Sequence, residues 1–359
     1  METFEAFFNA LASPELVVGI STVVFLVYLA RMRQMMHPRV AFGIMGLTAV
    51  FLVVGAQNRD FMTIISKGDN MPIVIMIFAV LFFLWLAFRQ ATLNDMRMER
   101  GEPPREATES QTKVLVWPDL VYPEFVVTVV LSAVFIIWGV MVEAPIEEPA
   151  SGTRAPNPAK APWYFLGLQE MLVYFDPWLA GVVLPGMIVV GLMAIPYIDT
   201  NPKGNGYYTW KERPFAIGMF LFGFLILWVL LVIMGTFLRG PNWNFFGPFE
   251  YWDPHKVEAL TNINLSEYFW VMLLDTRMPD NSLVRELPGF LLVGAYFVLT
   301  PAILAKTVLK KFFDEMGFVR FSVLVMLLLM MASLPIKMLL RWTINLKYLV
   351  AIPEWFFNI

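Results

Sequence analysis

The sequence predicts an all-α, polytopic membrane protein: about eight transmembrane helices with one short helix lying on a membrane face. Three observations predict it. The 359 residues are 58% hydrophobic and only 15% charged. The charges gather into short clusters between apolar runs, and runs of about 20 residues are what a helix needs to cross about 30 Å of hydrocarbon. No Asp, Glu, Lys or Arg falls near the midpoint of a run; Lys337 comes nearest, close enough to one end to snorkel outward. Charges at mid-membrane mark ion and proton paths. Their absence argues against a proton pump or channel within this chain. A secondary transporter would need a polar mid-membrane site, and the chain shows neither that nor an inverted repeat.

The eight expected spans are 14–30, 40–57, 71–88, 123–142, 178–198, 214–238, 287–306 and 320–341. The first follows an acidic stretch and ends in Arg31, Arg33 and Arg39 without a small-residue cleavage site, so it reads as a retained span. Of the 26 basic residues, 15 fall in the segments after spans one, three, five and seven or at the span ends that border them, while acidic residues gather on the other side. The positive-inside rule then puts both termini outside. The chain divides into a three-span module (1–93), a charged linker broken by Pro103-Pro104 (94–116), a second three-span module (117–240), and an outer segment with two further spans (241–359). The aromatic-rich NWNFFGPFEYWDP in that last segment suits a surface lying against the bilayer or a partner.

There are no cysteines, which excludes disulfides, cysteine-ligated iron–sulfur clusters and covalently attached c-type haem in this chain. The two histidines, His37 and His255, both lie in connecting segments and read as solvated groups rather than ligands.

The stretch PNPAKAPWYFLGLQEMLVYFDPWLAGVVLP, residues 156–185, draws the eye. Prolines hold its start extended. Trp163 to Phe175 then read as a helix of about 20 Å on the outer face. Trp163 and Glu170, seven apart, fall on nearly one side, with Gly167 between them leaving room for a ring, and Tyr164 adds a hydroxyl. A flat apolar slot beside a proton acceptor is what quinol oxidation requires. Interfacial anchoring with a solvated Glu170 is the plainer reading of the same residues.

From about Trp117 to Arg239 the chain resembles the C-terminal half of cytochrome b, the part that stands alone as subunit IV in cytochrome bf-type complexes. PDLVYPEF leads into a span, EAPIEEPASGTRAPNPAKAPWYFLGLQE follows on the outer side, and two more spans come after. The resemblance implies a membrane subunit of a quinol:cytochrome c oxidoreductase. The family carries Pro-Glu-Trp-Tyr at its quinol-oxidation site. Here KAPWYF stands in that place: Trp163 and Tyr164 match, the family's Pro falls on Ala161, and its proton-accepting Glu falls on Pro162. Glu170 is the expected substitute as proton acceptor, Glu143, Glu147 and Glu148 being weaker candidates. Pro162, Trp163, Tyr164, Phe165 and Gly167 would shape the quinol pocket, with Tyr164 also acting in catalysis. A second similar string, Pro353-Glu354-Trp355-Phe356, lacks the upstream loop and reads as an interfacial anchor.

The family's b haems each need two histidines from its N-terminal half, which this chain does not supply. They are expected on a histidine-bearing partner chain of cytochrome b N-terminal type. By the same implication the complex would hold a Rieske iron–sulfur protein and a c-type cytochrome, in a bacterial inner membrane or an equivalent energy-transducing one. The extra spans are expected to pack partner subunits or lipids; nucleic acid is not expected among the partners. The rival expectation is a structural anchor subunit with a degenerate quinol site.

Overall fold

A computed structural model describes residues 2–109, 113–143 and 149–359. Helix α1 (Glu2–Leu11) meets α2 (Pro14–Ala30) at an 84° bend, and the two are long and apolar enough to cross a membrane only when taken together. Seven further helices are long and apolar enough to cross a membrane: α3 (Pro38–Gly55), α4 (Met71–Glu99), α5 (Val116–Met141), α7 (Leu179–Ile198), α8 (Pro214–Leu238), α9 (Leu287–Lys306) and α10 (Lys310–Ile344). Between α5 and α7 lies the short α6 (Leu166–Met171). The expected architecture of spans with a short surface helix is the observed one.

Local chemistry sets the boundaries. Proline occupies the first turn of α2, α3, α4, α8 and α9, where its missing N–H costs nothing. His37 caps α3, its Nδ1 accepting from the Arg39 amide at 3.3 Å. Gly317, at φ 73°, breaks the α10 helix near its start. The third span runs farther than its apolar stretch predicts. Residues 94–99, expected in the linker, continue α4 because Asn94 and Asp95 are buried under the loop before α8. Asn94 Nδ2 donates to the Tyr208 carbonyl at 2.9 Å, and Asp95 accepts from the Trp210 and Lys211 amides. The linker's Ser110 to Thr112 lie outside the described residues.

The connections sort onto two faces. One, here the linker face, carries Arg33, Glu99 and Lys211 in an ion-pair cluster, the Arg33–Glu99 arm at 2.5 Å. The other, the loop face, gathers α1, the segment after α3, residues 156–178 and 239–286, and the chain from Leu346 on. Asn9 Oδ1 accepts from the Phe249 amide there at 2.9 Å, and Phe61 stacks on Phe249 with ring centroids 5.0 Å apart. Residues near both chain ends therefore share one face.

Helix α8 runs at the centre of the main core with Leu230, Leu231, Val232 and Met234 buried. Helix α10 packs on α7 and α9. Helix α5 differs from every other span: none of its residues is buried. The chain from Ala351 forms a small hairpin, β1 (Ala351–Ile352) with β2 (Phe357–Asn358), the one named strand pair among the described residues.

Candidate functional site

The 13-residue helix expected over 163–175 is shorter: a 3₁₀ turn at Trp163–Phe165, then α6, then turns to Asp176. Asp176 and Pro177 end it. The Asp176 carbonyl accepts from the Leu179 and Ala180 amides to start α7, and its carboxylate accepts from the Tyr348 hydroxyl at 3.1 Å and Asn358 Nδ2 at 3.3 Å.

Helix α6 has two unlike sides. Leu166, Gly167, Glu170 and Met171 are buried. Tyr164 and Phe165 are each 49% exposed, with Pro162 exposed beside them. The rings of Trp163, Tyr164 and Phe165 form a continuous ridge, centroids 5.7 Å and 4.7 Å apart in turn. The structure thus groups Pro162, Trp163, Tyr164 and Phe165 at an open aromatic edge.

Gly167 and Glu170 fall on the other side. A Cβ on Gly167 would meet Val232 Cγ2 at 3.4 Å and the Trp228 carbonyl at 3.5 Å, and one on Gly235 would meet the Leu166 carbonyl at 3.3 Å. The space beside Gly167 is filled by α8; the glycine permits close helix approach rather than leaving an opening. Glu170 is fully buried and grips Arg239 through two bonds, Nη2–Oε1 at 2.7 Å and Nε–Oε2 at 2.9 Å. Arg239 Nη1 also donates to the Trp243 carbonyl at 2.8 Å. A buried fork-to-fork pair is strong and directional, and it pins α6 to the end of α8.

The extended run before the ridge is clamped from several sides. Gln169 spans it, donating to the Ala159 carbonyl at 2.8 Å and accepting from the Ala161 amide at 2.9 Å. Asn157 and Asn242 bond reciprocally, side chain to side chain at 3.0 Å and Asn242 amide to Asn157 Oδ1 at 2.6 Å. Lys160 Nζ donates to the Thr236 carbonyl at 2.8 Å and sits 4.6 Å from the Trp252 ring centre. Burial, reinforced by the nearby Lys67 charge, pushes the Lys160 ammonium down to about 7.

Sequence reasoning missed Gln169, Asn242, Lys160 and Arg239, whose partners lie on other elements; the only available signal was the density of amide side chains flanking the prolines. Of the weaker carboxylate candidates, Glu143 is exposed, and Glu147 and Glu148 lie outside the described residues. His37 stands on the linker face and His255 on the loop face, so they cannot grip one haem between them. Among the described residues no cluster of His, Cys, Asp or Glu suits a metal ion. The donor set does not fit a b haem.

Comparison with known proteins bears on this same stretch. Residues 149–249 match the family described as cytochrome b (C-terminal)/b6/petD. The matched segment contains the clamped loop, the aromatic ridge, α7, α8 and Arg239. Among curated proteins, this chain is 32% identical over 127 residues to the menaquinol:cytochrome c reductase cytochrome c subunit of Geobacillus thermodenitrificans, covering 33% of this chain and 48% of that protein. Its counterpart in Bacillus subtilis (strain 168) is 29% identical over 126 residues, covering 33% and 47%. This chain therefore spans about half the length of the curated relatives it matches. No solved structure matches.

Proposed function

We propose that this chain is a membrane subunit of a bc-type quinol oxidoreductase and completes the outer-face quinol-oxidation pocket. The observation that carries the reading is that the cytochrome b C-terminal match falls on the stretch whose Trp163-Tyr164-Phe165 ridge, with Trp163 half-buried and Tyr164 and Phe165 exposed, is clamped at the loop face. The ridge offers the flat apolar wall, with Pro162 at its edge. Gln169 and the Asn157–Asn242 pair fix its position, which is the preorganisation a weakly polar ring needs from its site. The b haems belong on a histidine-bearing partner of cytochrome b N-terminal type, because this chain has no ligands for them. With no cysteine it also leaves any c-type haem to another chain. A Rieske iron–sulfur protein would complete the assembly.

Proton acceptance is assigned to Glu170 with Tyr164 at the ridge. Glu170 is bound to Arg239 on the side away from the ridge, so it can serve the pocket only if Arg239 releases it; Tyr164 is already exposed. The same geometry favours the rival reading, a structural subunit with a degenerate site, since Pro162 stands where the family has its Glu. The loop face is assigned to the outside of a bacterial inner membrane or equivalent, with both termini there.

Purification of the intact complex in mild detergent, with a reduced-minus-oxidised spectrum and quinol:cytochrome c reductase assays, tests this. The proposal expects b-type haem in a co-purifying histidine-bearing chain and a large loss of turnover in Trp163→Ala. A stable complex without b haem, or unchanged turnover and inhibitor binding in both Trp163→Ala and Tyr164→Phe, overturns it.

A further inference from the structure

A cavity of about 740 Å³ opens on the loop face, on the side of α6 away from the aromatic ridge. Its walls come from the start of α2, the turn after α6, residues 239–262 and the end of α10 with the chain just beyond it. Several of these elements lie outside the segment that matches cytochrome b. The start of α2 and the end of α10 place its mouth at the level where spans emerge from the membrane.

Three donors in it stand out: one hydroxyl without a partner and two cations bound only to neutral carbonyls. Tyr174 is 1% exposed, yet its hydroxyl has no hydrogen-bond partner among the described residues. The Trp342 ring beside it, centroids 6.1 Å apart, could only donate from its indole N–H, so the tyrosine's own O–H proton has no acceptor. Burial raises the phenol's pKa and keeps it a donor. Arg341 Nη1 donates only to the Thr261 and Asn345 carbonyls, at 3.1 Å and 3.2 Å. Lys347 Nζ donates to the Val173 carbonyl at 3.3 Å. Asp176, the carboxylate that bears on Lys347, is taken by Tyr348 and Asn358. The cavity's own carboxylates are spoken for or remote: Glu258 pairs with Lys256 at 3.4 Å, Glu250 accepts from the Gly247 amide, and Glu15 is exposed. Two cations and an unmatched buried donor thus share one space.

We propose that this cavity binds a phosphate group through Arg341, Lys347 and the Tyr174 hydroxyl. A phosphate presents several charged oxygens to donors arriving from different elements, and a guanidinium fork matches its geometry. Phosphate is also the anion concentrated at headgroup level, where this mouth lies. The group can come from an anionic phospholipid or from free phosphate. The inference is independent of the quinol reading, since none of the three residues belongs to the ridge or its clamps.

The test is thermal unfolding of the full chain in detergent with four additions: short-chain phosphatidylglycerol, the matching diacylglycerol, sodium phosphate, and sodium chloride at equal ionic strength. A ligand that binds only the folded state raises Tm with its concentration. The expected result is a rise with phosphatidylglycerol, sodium phosphate or both, and none with diacylglycerol or chloride. Phosphatidylglycerol alone assigns the source to lipid; a rise with sodium phosphate as well assigns it to the free anion. Tyr174→Phe removes one oxygen that bonds nothing, so the ligand-free Tm holds or rises, while apparent affinity weakens about tenfold, as loss of one hydrogen bond to a charged acceptor predicts. Arg341→Gln weakens it further. No phosphate-dependent rise, or a rise undiminished in Tyr174→Phe, overturns the proposal.

Discussion

Glu170 and Arg239 set the terms at the residue scale. Removing one partner of a buried, bidentate pair strands the other charge, so Glu170→Gln and Arg239→Gln should each cost about 3–5 kcal/mol. Denaturant or thermal unfolding in detergent checks this, and the double replacement by apolar residues should recover most of the loss. Lys160 gives a pH signature. Its folded pKa of about 7 lies below its ordinary 10.5, so the unfolded chain binds more protons between those values. Stability should therefore rise as pH climbs from about 7 toward 10, and Lys160→Met should flatten that part of the Tm–pH curve. Trp163 and Tyr164 were legible in the sequence because their neighbours in the chain frame them. Arg239 was not: in sequence it is a charge ending an apolar run, and its partner is 69 residues away. The sevenfold spacing of Trp163 and Glu170 assumed a regular helix, and the 3₁₀ turn at 163–165 breaks that register.

At the scale of elements, the contact between α6 and α8 depends on glycine from both sides. Gly235→Ala would drive a methyl toward the Leu166 backbone at 3.3 Å, which cannot swing away as a side chain could. A loss of about 1–3 kcal/mol is expected, as for other overpacked contacts. Because α6 follows directly on the ridge, the proposed quinol site predicts that KM for quinol rises together with the fall in Tm; a change in Tm alone would show the ridge is positioned by the loop clamps instead. The apolar extent of most spans was legible to within a few residues, since hydrocarbon thickness sets it regardless of tertiary detail. The helices of α4, α5 and α10, however, run on past the expected 71–88, 123–142 and 320–341 to Met71–Glu99, Val116–Met141 and Lys310–Ile344. The extension of α4 was not legible, because its polar end is helical only by docking under the 205–213 loop. Lys337 shows a similar limit. It is 2% exposed and donates to the Lys347 carbonyl at 2.7 Å, reaching toward the loop face as a snorkelling lysine would, but ending on protein instead of water.

For the whole molecule the telling feature is α5, an apolar span with no buried residue. Apolar faces in lipid gain nothing by association unless packing improves, so α5 is free to take helices from elsewhere. The chain contains no cysteine, which makes single-cysteine labelling clean. Cysteines placed at Val130, Phe135 and Ile137 should all react with lipid-phase probes in the isolated chain, and one side should be protected in the complex. Uniform reactivity in both would remove α5 from the partner interface. Cysteines at Thr3 and Asn358 should both react with a membrane-impermeant reagent from one side only, as their shared face requires.

The hairpin beyond α10 has a consequence in time. Trp178, where α7 begins, donates to the Asn358 carbonyl at 3.0 Å and stacks on Phe357 at 5.5 Å. Residues 180 positions later in the chain thus hold the start of the helix that follows the aromatic ridge. A ribosome must have delivered α8, α9 and α10 to the membrane before that hold can form. Until then Trp178 lacks its late-arriving partner, and the growing chain carries an unfinished, aggregation-prone surface while about half of these 359 residues are still to be made.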